Sequence, residues 1–364
     1  MRKKQKSDIN APSGLFGIEN SNRTSEKHWG KNCFNSSFPA ALACHMLDRN
    51  IKAIYLKLAI VKGELRVVAT EIPLKDVFNC AGLTVADLDF CFESRFEPYQ
   101  KYSLNTIDSI DLVVKSTSGK FLSPLEIKLT VLPDSSTAKK SEDKWGSEIV
   151  VRSATTSYCA LGMFDAVAKK TGDVREIFEK GCADIGSWTN DFEMTHKTAV
   201  LVECVNDFQK QFLNKQKPLV MQTIWKTKGQ SPFLADDAFD IFVWSDFAFT
   251  RLFLDNNKPD KGGKTSRPMR ASAKLARCLW ELSKSGKIRL GDIYRQMAFE
   301  KQTDKEFSIN GLNWRKYVSS ERILKPALPK EIVNEIIQPG YIERLRPERR
   351  FDQTLYFTEK INEE

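Results

Sequence analysis

A chain of 364 residues with 41% apolar residues is long enough for about two ordinary domains and can bury a sizeable core. Its 56 Lys and Arg exceed its 47 Asp and Glu, giving a net charge of +9 and a pI near 9.0, which favours a polyanionic partner over a neutral or cationic one. The eight cysteines stand singly without a CxxC pair and no run of about 18 apolar residues occurs, which argues against a zinc ribbon, a disulfide scaffold or a membrane-spanning helix and for a reduced, cytoplasmic setting.

Residues 1–30 are polar and basic and read as a flexible leader. The text changes at Phe38: PAALACHMLDRN has helical spacing, and IKAIYLKLAIVKGELRVVATEIPL alternates around Lys62-Gly63 as a hairpin does. SIDLVVK and LEIKLTVL follow as two strands around the turn-forming STSGK. Helices are predicted over Met163 to Lys180, Asp191 to Phe212 and Asp246 to Leu254, with strands at PLVMQTIW and FDIFVW. Strands mixed with helices make residues 31–255 an α/β catalytic domain with a central mixed sheet.

Residues 256–270 are rich in Pro, Gly and charge and read as a linker or exposed loop. From residue 265 onward there are 20 Lys plus Arg against 14 Asp plus Glu, so this part contributes +6 of the whole-chain +9. Within it, ASAKLARCLWELSKSGKIRLGDIYRQMAF reads as two helices joined at Ser285-Gly286. That is compatible with a helix-turn-helix and equally with a helical pair that packs on the first domain. Residues 271–364 are accordingly expected to be a basic, mainly helical DNA-binding region.

Chemistry is concentrated in IDLVVKSTSGKFLSPLEIKLTVLP. Leu125, Ile127, Leu129 and Val131 share one strand face, while Glu126, Lys128 and Thr130 share the other. A turn centred between Ser118 and Gly119 sets Asp111 directly across from Glu126. Facing carboxylates repel unless a proton or cation lies between them, and a hard divalent ion such as Mg²⁺ meets that need. Lys128, on the same face, can contact an attacking water or a scissile phosphate. Asp111, Glu126 and Lys128 are therefore the candidate catalytic residues, with Asp111 and Glu126 as metal ligands. On spacing alone, an ordinary exposed hairpin is an equally good reading.

Asp111, fourteen intervening residues and then Glu126-Ile127-Lys128 resembles the signature of the PD-(D/E)XK nuclease superfamily. FPAALACHMLDRNIKAIYLKL and SPLEIKLTVLPDSSTA resemble the HindVP family of type II restriction endonucleases. The resemblance implies a restriction-endonuclease-like fold and Mg²⁺-dependent double-strand cleavage at a short degenerate palindrome of the GRCGYC type. It also implies a cognate DNA methyltransferase, and a palindrome is most simply read by a homodimer. The proline that often precedes the superfamily's aspartate is Ile110 here, which leaves Asp108 as a rival ligand, although strand parity favours Asp111. Glu93 and Glu97, expected on an upstream helix, are possible accessory carboxylates. A structure-specific nuclease and a non-enzymatic DNA-binding protein are the other readings.

Lys139, Lys140, Lys144 and Arg152 follow the second strand closely and are candidate phosphate contacts; Lys226, Lys228, Arg267 and Arg270 are weaker ones. Gly262-Gly263-Lys264-Thr265 resembles the end of a phosphate-binding loop, but Lys258 replaces the first required glycine. His28, His45 and His196 lack metal-binding spacing.

Overall fold

In a computed structural model of the protein, residues 31–133, 149–228, 233–299, 305–309, 314, 316–318 and 325–337 are described. Helix α1 (Lys31–Asp48) leads into the hairpin β1 (Ala53–Val61) and β2 (Glu64–Ile72), then the short α2 (Leu74–Val77) and β3 (Leu88–Ser94). β4 (Ile110–Ser116) and β5 (Phe121–Pro133) form the next hairpin, followed by β6 (Ile149–Arg152) and the helices α3 (Ser153–Ala166), α4 (Thr171–Cys182) and α5 (Asp191–Gln211). β7 (Pro218–Lys228), β8 (Phe233–Ser245), α6 (Asp246–Leu254), α7 (Arg267–Ser285), α8 (Leu290–Gln296), β9 (Lys305–Ile309) and α9 (Lys330–Ile337) complete the order.

Seven strands form one mixed sheet in the order β2-β1-β8-β7-β5-β4-β3, and β6 pairs with β9 in a separate two-stranded ladder. β5 runs parallel to β7 and antiparallel to β4, so it lies inside the sheet with neighbours on both sides. The expected α/β class with a central mixed sheet and a helical C-terminal region is the observed one. The two hairpins turn where the sequence places them. Lys62 and Gly63 take φ of 51° and 81°, the left-handed pair of a two-residue turn, and Gly119 takes φ of 88°.

Side-chain alternation divides the packing into two layers. Leu112, Val114, Leu125, Ile127, Met221, Trp225, Ile241 and Val243 face one side, under α1, α2 and α9. Ile54, Leu56, Val113, Val220, Phe242 and Trp244 face the other, under α3 to α8. Burying a side chain of this size contributes about 1.5–3 kcal/mol, and β5 supplies Leu125 and Ile127 to the first layer.

Two helical expectations need correction. The helix predicted over Met163 to Lys180 is two helices, separated by a 3-10 turn at Ala168–Lys170, and the first begins at Ser153. Every residue of α3 from Thr155 to Phe164 is buried, so it has no polar stripe from which a helical period could be read. Glu93 and Glu97 are not helical neighbours: Glu93 is on β3 and Glu97 opens a 3-10 turn.

The stretch expected as a loop over 256–270 gives way to α7 at Arg267, where the Ser266 side chain caps the helix by accepting from the Met269 N–H. α7 is not a solvated basic helix. Ala271, Leu275, Ala276, Cys278, Leu279 and Leu282 are buried in the same cluster as Val220, Phe242 and Trp244 of the sheet. The helix ends at Gly286, whose φ of 70° suits the left-handed cap.

One buried acid lies at the base of this layer. Asp246 opens α6 at 1% exposure, its Oδ1 accepting from the Phe247 N–H at 2.8 Å and the Lys217 N–H at 3.1 Å. Among the described residues its Oδ2 has no hydrogen-bond partner, and it lies beside Gly162, as does the Tyr99 hydroxyl. Burial pushes the carboxyl up to about 7.

Candidate active site

The hairpin register is what brings the acids together. Leu112 pairs with Leu125, Val113 with Pro124 and Val114 with Ser123, and a bulge at Lys115 absorbs the residue left over at the turn. One step further along this register, Asp111 falls opposite Glu126. Since Leu112, Leu125 and Ile127 face α1, Asp111, Glu126 and Lys128 face the opposite layer, where α3 begins.

Each of the three side chains has a defined partner. Asp111 Oδ2 accepts from the Ile127 N–H at 2.7 Å, which ties its carboxylate across the ladder. Glu126 Oε1 accepts from Lys128 Nζ at 2.5 Å and from the Thr155 hydroxyl at 2.8 Å. Glu126 is 6% exposed and Thr155 1%, so these bonds lie away from bulk water. Among the described residues no donor reaches Asp111 Oδ1 or Glu126 Oε2. Burial, followed by the negative charge of Glu126, pushes the Asp111 carboxyl up to about 7. Two adjacent carboxylates, each with one uncommitted oxygen and one already raised in pKa, fit a hard divalent cation. Among the described residues no third His, Cys, Asp or Glu completes a metal cluster around them, so the rest of the shell would come from water and substrate oxygen.

The rival carboxylates are placed differently. Asp108 is exposed, and its Oδ2 accepts from the Tyr294 hydroxyl at 2.6 Å while its carbonyl accepts from Tyr158 Oη at 2.9 Å. Glu93 is exposed, with φ of 47°, between the pairs Phe92–Leu112 and Ser94–Ile110. That puts it opposite Asp111 from the other side, and its charge adds to the upward shift of that carboxyl.

Of the candidate phosphate contacts, Arg152 is exposed at the end of β6, directly before α3, and Arg267 is exposed at the first position of α7. Arg270 is buried and its Nη1 donates to the Thr265 carbonyl at 3.1 Å. Lys139, Lys140 and Lys144 lie outside the described residues; Lys226 and Lys228 are on β7.

Sequence reasoning missed the side chains that surround the site from the helical layer. Lys274 of α7, 3% exposed, donates to Ser153 Oγ at 2.9 Å and sits 4.9 Å from the Tyr294 ring centre; burial pulls its amine down to about 8. Ser157 Oγ and Tyr294 Oη are 2.8 Å apart. Neither Thr155 nor Lys274 stands in a recognisable motif, and their partners are distant in sequence.

A mixed sheet between helical layers, with an aspartate and a Glu-Ile-Lys strand side by side near its centre, is the architecture of a restriction-endonuclease-like enzyme. A profile of the HindVP restriction endonuclease family matches residues 29–362. The type II restriction enzyme HgiDI of Herpetosiphon aurantiacus is 33% identical over 359 residues, covering 98% of this chain and 98% of its own length. The probable type II restriction enzyme HindVP of Haemophilus influenzae is 30% identical over 362 residues, covering 99% and 98% respectively. The chain belongs to the HindVP restriction endonuclease family and is a type II site-specific deoxyribonuclease. No solved structure matches it significantly.

Proposed function

We propose that this chain cuts both strands of DNA at a short degenerate palindrome of the GRCGYC type, using Mg²⁺ held by Asp111 and Glu126, with Lys128 as the third catalytic residue. The observation that carries the reading is the convergence of these three side chains on one sheet face, with an oxygen of each carboxylate uncommitted among the described residues. Mg²⁺ would lower the pKa of a water and offset charge on the phosphate and the leaving oxygen. Lys128, paired with Glu126 in the resting site, has a flexible four-carbon stem that lets its ammonium turn toward the scissile phosphate and orient the nucleophile. Ile127 holds Asp111 in place through its N–H, so the ligand geometry is set by the strand backbone.

Arg152 and Arg267 are proposed as phosphate contacts, together with Lys139, Lys140 and Lys144 from the segment between β5 and β6. A two-fold homodimer, one subunit per strand, suits a palindrome. A cognate methyltransferase would protect host sites, and the enzyme would act in the cytoplasm. The test is incubation of the purified protein with unmethylated phage DNA and Mg²⁺. Discrete fragments whose ends map to one degenerate palindrome are expected, with none from Glu126→Gln or Lys128→Met. Cutting by either variant, or cuts that follow branches instead of sequence, would overturn the proposal.

A further inference from the structure

We infer that Thr155 is a positioning residue that orients the Glu126 carboxylate for a divalent cation, an inference that rests on the metal reading of Asp111 and Glu126 above. Among the described residues two donors converge on Glu126, and both take the same oxygen: Lys128 Nζ at 2.5 Å and Thr155 Oγ1 at 2.8 Å. With Oε1 occupied, Oε2 is the oxygen left to turn toward Asp111 and a cation.

The two donors are not equivalent. Lys128 is carried on the same strand as Glu126 and reaches it through several rotatable bonds, so it neutralises the carboxylate without fixing its plane. Thr155 has one side-chain torsion, restricted by β-branching. It projects from the first turn of α3, a helix buried from Thr155 to Phe164. That turn is fastened on both sides of Thr155, by Lys274 donating to Ser153 Oγ at 2.9 Å and by Ser157 Oγ against Tyr294 Oη at 2.8 Å. The hydroxyl is thus a rigid post from the helical layer against a carboxylate of the sheet. Hydrogen-bonded partners that orient metal-ligating carboxylates typically affect metal affinity or activity by about 10–100-fold.

The test titrates the full-length protein with Mn²⁺ alone, following free Mn²⁺ by electron paramagnetic resonance, for the wild type and for Thr155→Val, Thr155→Ser and Glu126→Gln. Thr155→Val should weaken Mn²⁺ binding about tenfold or more. Thr155→Ser, which restores a hydroxyl, should lie within a few-fold of wild type. In cleavage assays Thr155→Val should raise the Mg²⁺ concentration for half-maximal rate while leaving KM for DNA little changed. Thr155→Ala removes the hydroxyl in a smaller volume and serves the same comparison if valine prevents folding. Wild-type Mn²⁺ affinity in the hydroxyl-free variant, with Glu126→Gln deficient, would overturn the role of Thr155 and leave the metal reading standing. Wild-type affinity in Glu126→Gln would remove the metal reading, and the role of Thr155 with it.

Discussion

Replacing Asp246 by Asn should make the protein more stable at alkaline pH and have little effect at acid pH. The carboxyl is 1% exposed and receives two backbone N–H groups on Oδ1, and among the described residues none reaches Oδ2. Its folded-state pKa is raised from 3.8 to about 7. Well below pH 3.8 the acid is neutral in both the folded and unfolded chains and costs nothing. As pH rises from 4 to 7 the unfolded chain loses the proton while the folded one keeps it, and stability falls by about 1.4 kcal/mol per pH unit. Above pH 7 the full deficit is reached, with an upper bound of about 4 kcal/mol. Asn keeps the Oδ1 acceptor and replaces Oδ2 with an uncharged N–H₂ group, imitating the neutral acid at every pH. Urea unfolding of both proteins between pH 4 and 8.5 reads the difference directly, since other titrating groups cancel. The difference should open with rising pH, while cleavage is unaffected. A constant difference across that range would show that burial does not hold Asp246 protonated.

At the site, Asp111→Asn should abolish cleavage whereas Asp108→Asn should keep most of it, because Asp108 is exposed and engaged by Tyr294; gel assays on a cleavable plasmid would move the ligand to Asp108 if the order were reversed. Mg²⁺ or Mn²⁺ should support cutting, while Ca²⁺ should permit DNA binding with little hydrolysis, its larger and looser shell positioning water poorly. Persistent cutting in excess chelator would exclude a metal mechanism. Ending the chain at Asp255 removes α7 from the cluster it shares with Val220, Phe242 and Trp244, and circular dichroism should show loss of the fold. A folded fragment would instead mark the helices after residue 266 as a separable unit.

The β4–β5 hairpin could be read from sequence because its turn residues and alternation fix the register, and the register fixes which acids face each other. α6 and the β7–β8 pair were legible for the same local reasons. α3 was not: a helix buried on nearly every side carries no period, and its Thr155 touches Glu126 through folding alone. For α7 the composition left a DNA-binding helix and a packed helix equally open, since charge counts carry no information about burial. Arg270 is spent on the Thr265 carbonyl and Lys274 on Ser153, while Arg277 pairs with Glu281 at 2.8 Å and stacks 5.1 Å from the Trp188 ring centre. Glu93 could not be placed because a left-handed residue inside a strand is invisible to periodicity.

The interior position of β5 has a consequence for how such an enzyme is made. Its antiparallel neighbour β4 leaves the ribosome first, but its parallel neighbour β7 begins only at Pro218, and the helix that braces the start of α3 lies later still, at Arg267–Ser285. Glu126 therefore has no finished sheet beneath it until most of the chain has been synthesised. A fragment lacking β7 and α7 has Asp111, Glu126 and Lys128 but neither the parallel strand beside β5 nor the helix that holds the start of α3. If Asp111, Glu126 and Lys128 cut DNA as proposed, a chain that ends before β7 and α7 would carry all three without the strand and helix that flank them, so cutting would await nearly complete synthesis.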